Sequence, residues 1–311
     1  MKILIGFLLS GFISFVLAHD IQIISMDNKD GKVTPKTIEK VFKDAGFYIN
    51  DNRDMNGPFM KQFKTSDFKI YNLFTFAHIP TAVKLAKEYP TVGLFTPLSM
   101  SIYTKKGEDK IHVSALTIEG VSKITGIPQN NPELKIWMDL LTVTLKKALP
   151  NGSFEKIPYS VQPSQKDLVT KMHIKFKPTS DWGEDSDTLI EEFEMAYEAQ
   201  GFVQAGYTDV NYKFKELGDD YFDLFVAESI CKLPVIFEVA KTRPEAGAFA
   251  PCSVMIYKKK SDNFFHVEYP NVYNWIASLD IDNGESLEQL LSAQGKMETI
   301  LYKLKTDYDN F

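Results

Sequence analysis

Shifted by 154 residues, the chain matches itself: residues 68–113 lie on 222–267 without a gap. Of the 46 aligned positions 15 are identical, among them Phe68, Pro80, Pro90, Gly93, Phe95, Pro97, Tyr103 and His112. The densest stretch sets YPTVGLFTP (89–97) against RPEAGAFAP (243–251), a Pro-x-x-Gly-x-Phe-x-Pro spacing that chance does not readily repeat in one chain. A shift of 155 further lays Gly46-Phe47 on Gly201-Phe202. Solenoid repeats run to about 20–50 residues, so each copy here is a domain, and the chain is a tandem duplication. The expected division is a first domain over 19–149, a linker over 150–170 with Pro150, Gly152, Pro158 and Pro163, and a second domain over 171–311.

Both copies show the same local patterns. Ile21 and Ile23 alternate with polar residues in the first, as do Met172, Ile174 and Phe176 in the second, which predicts a half-buried strand. A helix follows in each. Thr34 caps it in the first copy, with Ile38, Val41, Phe42 and Ala45 as its apolar stripe and Gly46 at its left-handed end. In the second, Asp187 is the expected cap, ahead of Leu189, Ile190, Phe193, Ala196 and Tyr197, with Gly201 at the end. Next come a strand from Phe68 or Phe222, a short helix at Pro80 or Pro234 and a Gly-Phe-Pro turn. Strands over Phe95–Thr104 and Phe249–Lys258 form hairpins with Ile111–Val113 and Phe265–Val267 across polar turns. A long helix closes each copy. The expected fold is α+β: two homologous two-layer sandwich domains in tandem, paired as an intrachain pseudo-dimer.

Residues 1–18, MKILIGFLLSGFISFVLA, read as a bacterial signal peptide. Lys2 precedes an apolar run, and Val16 and Ala18 stand at the small-residue positions of a cleavage site. The run is short of the ~20 residues a spanning helix needs, and no second one follows, so the expectation is a periplasmic or secreted protein with no membrane span after removal of the signal. With 44% apolar and 24% charged residues the composition excludes a disordered chain. A net charge of −6 supplies no basic excess to neutralise phosphates, so nucleic acid is not an expected partner.

Both copies resemble the family called domain of unknown function 302. The second offers GF (201–202), CKLP (231–234), AFAPC (248–252) and VMIY (254–257); the first offers GF (46–47), HIP (78–80), LFTP (94–97) and MSIY (100–103). The first departs from the pattern in carrying Ala77 and Leu98 where the second has Cys231 and Cys252. The resemblance implies a small α+β fold that self-associates, and no established activity.

Four groups of residues stand out. Cys231 and Cys252 are the only thiols. They can be buried and inert, joined as a disulfide, or a reactive or metal-binding pair, with Lys232 and the helix starting near Pro234 favouring the thiolate. Their joint replacement in the first copy argues for contact between them. His112 and His266 are repeat-equivalent, though no HxH or HxxxH spacing accompanies them. Gly93, Pro97, Gly247 and Pro251 mark turns in which the glycines adopt positive φ or face a close-packed backbone. DNGE (282–285) lacks the remaining ligand spacing of a calcium loop. Nucleophile elbows, phosphate loops and CxxC pairs are absent from the sequence. The expected function is a noncatalytic module, without a cofactor, that binds a small ligand or a protein. The alternative is a thiol-based redox or metal-handling protein using Cys231 and Cys252.

Overall fold

The computed structural model describes residues 19–164, 166–175 and 181–309. Residues 1–18, expected from sequence to be a signal peptide, with Val16 and Ala18, and Phe176 lie outside the described residues. The first half runs β1 (Ile21–Asp27), α1 (Pro35–Asp44), β2 (Tyr48–Asp54), α2 (Asn56–Phe63), β3 (Phe68–Ala77), α3 (Ile79–Ala86), a 3-10 turn (Pro90–Phe95), β4 (Leu98–Lys105), β5 (Lys110–Leu116), α4 (Ile118–Thr125) and α5 (Pro132–Ala148). After β6 (Ser153–Phe154) the same order returns. It comprises β7 (Val169–Lys175), α6 (Trp182–Ala199), β8 (Val203–Asp209), α7 (Asn211–Glu216), β9 (Phe222–Cys231), α8 (Leu233–Thr242), a 3-10 turn (Pro244–Ala248), β10 (Cys252–Lys259), β11 (Phe264–Pro270), α9 (Tyr273–Ser278) and α10 (Gly284–Asp309).

The strand order repeats as well. One sheet runs β2-β3-β4-β5-β1-β6 and the other β7-β11-β10-β9-β8, with antiparallel neighbours throughout. The architecture is α+β, with two antiparallel sheets and helices against them. Strand alternation divides the side chains between two environments. Phe74 and Phe76 of β3 turn toward the helices, where Phe42 of α1 meets them at ring separations of 5.4 and 4.9 Å. Tyr71 and Leu73 turn the other way, toward the second half.

Local chemistry sets the helix starts. Thr34 and Thr37 form a reciprocal capping pair at α1, and Pro35 fits the first turn because its missing N–H would have no partner there. Gly46 and Gly201 take φ of 91° and 77° at the ends of the first helix of each half, as their spacing predicts. In α6, Asp187 is not the cap. The helix begins earlier, at Trp182, because Asp181 accepts from the Gly183 N–H. The strands expected from Phe95 and Phe249 begin at Leu98 and Cys252 instead, since both phenylalanines lie in or beside the preceding 3-10 turn. The linker is partly built in: β6 pairs with β1, Ile157 is buried, and the Tyr159 hydroxyl donates to Glu245 at 2.6 Å.

The two halves meet through their 3-10 turns. Pro244–Ala248 packs on β4 and β5 of the first half, and Pro90–Phe95 packs on β9, β10 and β11 of the second. Gly93 and Gly247 stand at the two points of closest approach. Neither has positive φ, so the left-handed alternative does not apply to them. A Cβ on Gly247 would lie 2.4 Å from the Ser101 Cβ and 2.9 Å from its Cα; one on Gly93 would lie 2.0 Å from the Met255 Sδ. The absence of a side chain is what each contact requires. The Thr96–Pro97 and Ala250–Pro251 peptide bonds are both cis.

Candidate functional site

Edge strands β2 and β8, one from each sheet, come together where the Asn50 side-chain amide donates to the Thr208 hydroxyl at 2.5 Å. Beside them α2 leans on α8: the Phe63 and Phe237 rings stack at 3.9 Å, and Phe59 meets Phe237 edge-on at 5.2 Å. Between these contacts lies a cavity of about 480 Å³, within the range of small-molecule sites. Its floor is buried and largely apolar, with Met55, Leu73, Thr75, Cys231 and Pro251. Its rim is polar and more exposed, with Asp51, Arg53 and Gln62 from the first half and Lys232 at the start of α8. Two of the rim's charges neutralise each other, since Arg53 pairs with Asp51 at 2.9 Å.

Of the residues singled out by sequence, Cys231 and Pro251 line this cavity. Cys252 does not line this cavity but borders a second, smaller one that Cys231 also lines. It pairs across the sheet with Ile230, so side-chain alternation sends Cys231 toward the other half and Cys252 toward the helices. There the Cys252 thiol lies near Trp275 and donates weakly to the Phe249 carbonyl. Both cysteines are free, so no disulfide joins them, although Cys231 is near enough to help raise the Cys252 pKa. Burial pushes each thiol up to about 12, and for Cys231 the nearby Arg53 opposes that rise without overcoming it. The expected activation of Cys231 by Lys232 does not develop either. The lysine amine is engaged elsewhere, donating to the Gln200 carbonyl at 2.7 Å and standing 4.9 Å over the Phe202 ring, and it is not among the groups that shift Cys231.

His112 and His266 hold equivalent places on β5 and β11, but they do not converge on a site. Each ring stacks on the tyrosine opposite it, Tyr103 at 4.8 Å and Tyr257 at 4.2 Å. Each also meets a carboxylate, Glu155 at 2.9 Å and Asp262 at 2.7 Å respectively. Burial lowers the His266 pKa despite the raising effect of Asp262. Among the described residues no three His, Cys, Asp or Glu side chains are grouped to hold a metal ion.

Sequence reasoning passed over most of the lining. Asp51, Arg53, Val203 and Ala205 belong to β2 and β8, whose segments YINDNRD and VQAGYTD carry too few apolar residues to show a strand period. Gln62 sits on the short helix α2, which also left no clear signal. The polarity that hid the edge strands is what equips them to rim a cavity.

Residues 179–304 match the family model Domain of unknown function DUF302. The match covers the second half and leaves the first outside it. A crystal structure of an uncharacterized conserved DUF302 protein from Bacillus stearothermophilus is similar at 16% identity, covering 45% of this chain and 98% of that one, with a TM-score of 0.35. No curated protein matches the chain. No helix among the described residues is long and apolar enough to cross a membrane.

Proposed function

We propose that the chain is a noncatalytic, exported binding module in which two copies of one DUF302-like domain, fused as an intrachain pseudo-dimer, hold a small ligand between them. The cavity at the meeting of β2, α2, β9 and α8 carries this reading, because it draws its floor and rim from both halves. The shared strand order and the matched 3-10 contacts support descent of the halves from a self-associating domain. Fusion would hold the two copies at high effective concentration, and the ligand site with them. The two thiols, both with pKa raised by burial, offer no ready nucleophile, which favours binding over thiol chemistry.

The test is titration with phenylnaphthylamine, a neutral dye whose fluorescence rises in apolar surroundings. Saturable binding is expected, and Ala205→Trp, which fills the cavity from a half-buried position on β8, should weaken it by at least about tenfold. Dye binding untouched by Ala205→Trp in a variant with an unchanged melting curve would remove the cavity as the site. Export is a separate part of the proposal. A retained Met1 in the folded protein, measured by mass spectrometry, would overturn it.

A further inference from the structure

The cavity's charges are not balanced equally. Arg53 is neutralised by Asp51. Lys232 has no carboxylate at ion-pair distance among the described residues, and neither does Lys296 of α10 beside it. Burial, and then repulsion between the two nearby ammonium groups, lower the Lys232 pKa. The Lys232 amine nevertheless stays at the cavity rim: a Cβ on Gly201, itself a lining residue, would lie 3.2 Å from its Nζ. One of its three protons is committed to the Gln200 carbonyl, which leaves donors for a further acceptor. Lys232 is also the residue at the N-terminal boundary of α8, a ten-residue helix whose first turn has no side-chain cap. The positive end of that helix adds to the same local field. Two like charges beside an uncapped helix start, next to an apolar chamber, lack only a negative group.

Resting on the reading of the cavity as a ligand site, we propose that it takes a small monocarboxylate with an apolar tail, the carboxylate at Lys232 and the tail on Met55, Leu73, Thr75 and Cys231. A single anionic head suits the one unpaired cation that lines the rim better than a multiply charged group, because the other lining cation, Arg53, is already held by Asp51. The floor offers few hydrogen-bonding groups, so a polar tail would be stripped of water without replacement.

Decanoate and decanol, which share a tail and differ in charge, separate the parts of this proposal. Calorimetric titration of the purified chain at neutral pH should show decanoate binding at least about tenfold more tightly than decanol. Lys232→Met should erase that preference while leaving decanol affinity unchanged, and Lys232→Arg should keep most of it. Arg53→Gln should matter little, because Arg53 is already paired. A measurement independent of any variant is salt: raising ionic strength should weaken decanoate and spare decanol. Equal affinity of the two ligands, or equal loss of both in Lys232→Met, would overturn the carboxylate site and leave the cavity reading standing. Binding of neither, with dye binding intact, would also overturn the carboxylate site; loss of dye binding in the unaltered protein would count against the cavity itself.

Discussion

At position 101 of the first half stands a serine, and at the matching position 255 of the second a methionine. Both receive the 3-10 turn of the opposite half. On the first sheet the contact is polar: Tyr71 and Ser101 donate to the Pro244 carbonyl at 3.0 and 2.9 Å, and Ser114 donates to the Glu245 carbonyl at 2.8 Å. On the second sheet the equivalent of Tyr71 is Phe225, and Gly93 lies against Phe225 and Met255. One backbone arrangement is thus held by two chemistries. Hydrogen bonds to buried carbonyls fix direction and register, because an unmatched partner is costly; a methionine and a phenylalanine fill space and tolerate adjustment. A second difference lies on the helix-facing side. Phe74 of the first half is matched by Glu228 of the second, fully buried near Glu194 and Tyr197 of α6.

The sharpest way to break the comparison is Gly247→Val. The new side chain meets the Ser101 backbone, which cannot swing aside, so a loss of more than about 3 kcal/mol is expected in urea unfolding. A neutral effect would mean the polar contact is not tight. Glu228→Gln comes next. Burial, and then Glu194, raise the Glu228 pKa to about 7 from an ordinary 4.5. Between those values the folded chain binds more protons than the unfolded one, so stability is greatest at low pH and falls as pH rises through that window. The fall attributable to this carboxyl is about 3 kcal/mol. Glu228→Gln should recover most of it at about pH 8 and do little at about pH 4; a parent with equal stability at both pH values would refute the placement of this carboxyl. The smallest effect is Gly93→Ala, about 1 kcal/mol, because the clash is with the mobile end of Met255. Combined with Met255→Ala it should cost less than the sum of the two single changes, by about 1 kcal/mol. Strict additivity would show that the two positions are not coupled and that Met255 is not what limits position 93.

The regions most legible in sequence were those whose signals are local. The Thr34 cap, the Ile38–Phe42 stripe and the Gly46 end predict α1 because the three lie within one helix length of each other. The hairpins of β4 with β5 and of β10 with β11 follow from alternation around a polar turn. Asp187 misleads because an equally good capping residue, Asp181, lies earlier in the chain. Joint replacement of Cys231 and Cys252 in the first half suggests contact; the two are free thiols whose side chains alternate across the β9–β10 pairing, with Cys231 near enough to help raise the Cys252 pKa.

The residue order alone carries the internal match at an offset of 154, the order of most elements and the need for glycine at positions 93 and 247, since a repeated spacing and an apolar period are read directly along the chain. Tertiary structure alone decided why those glycines are required, which is the approach of the opposite half rather than a turn conformation. It also decided the cavity. Arg53 and Lys232 are 179 residues apart in sequence, and no local pattern records that two polar edge strands and two helices will bring them to one rim. Such a site arises from packing between halves, where side chains meet according to register and approach rather than to spacing along the chain.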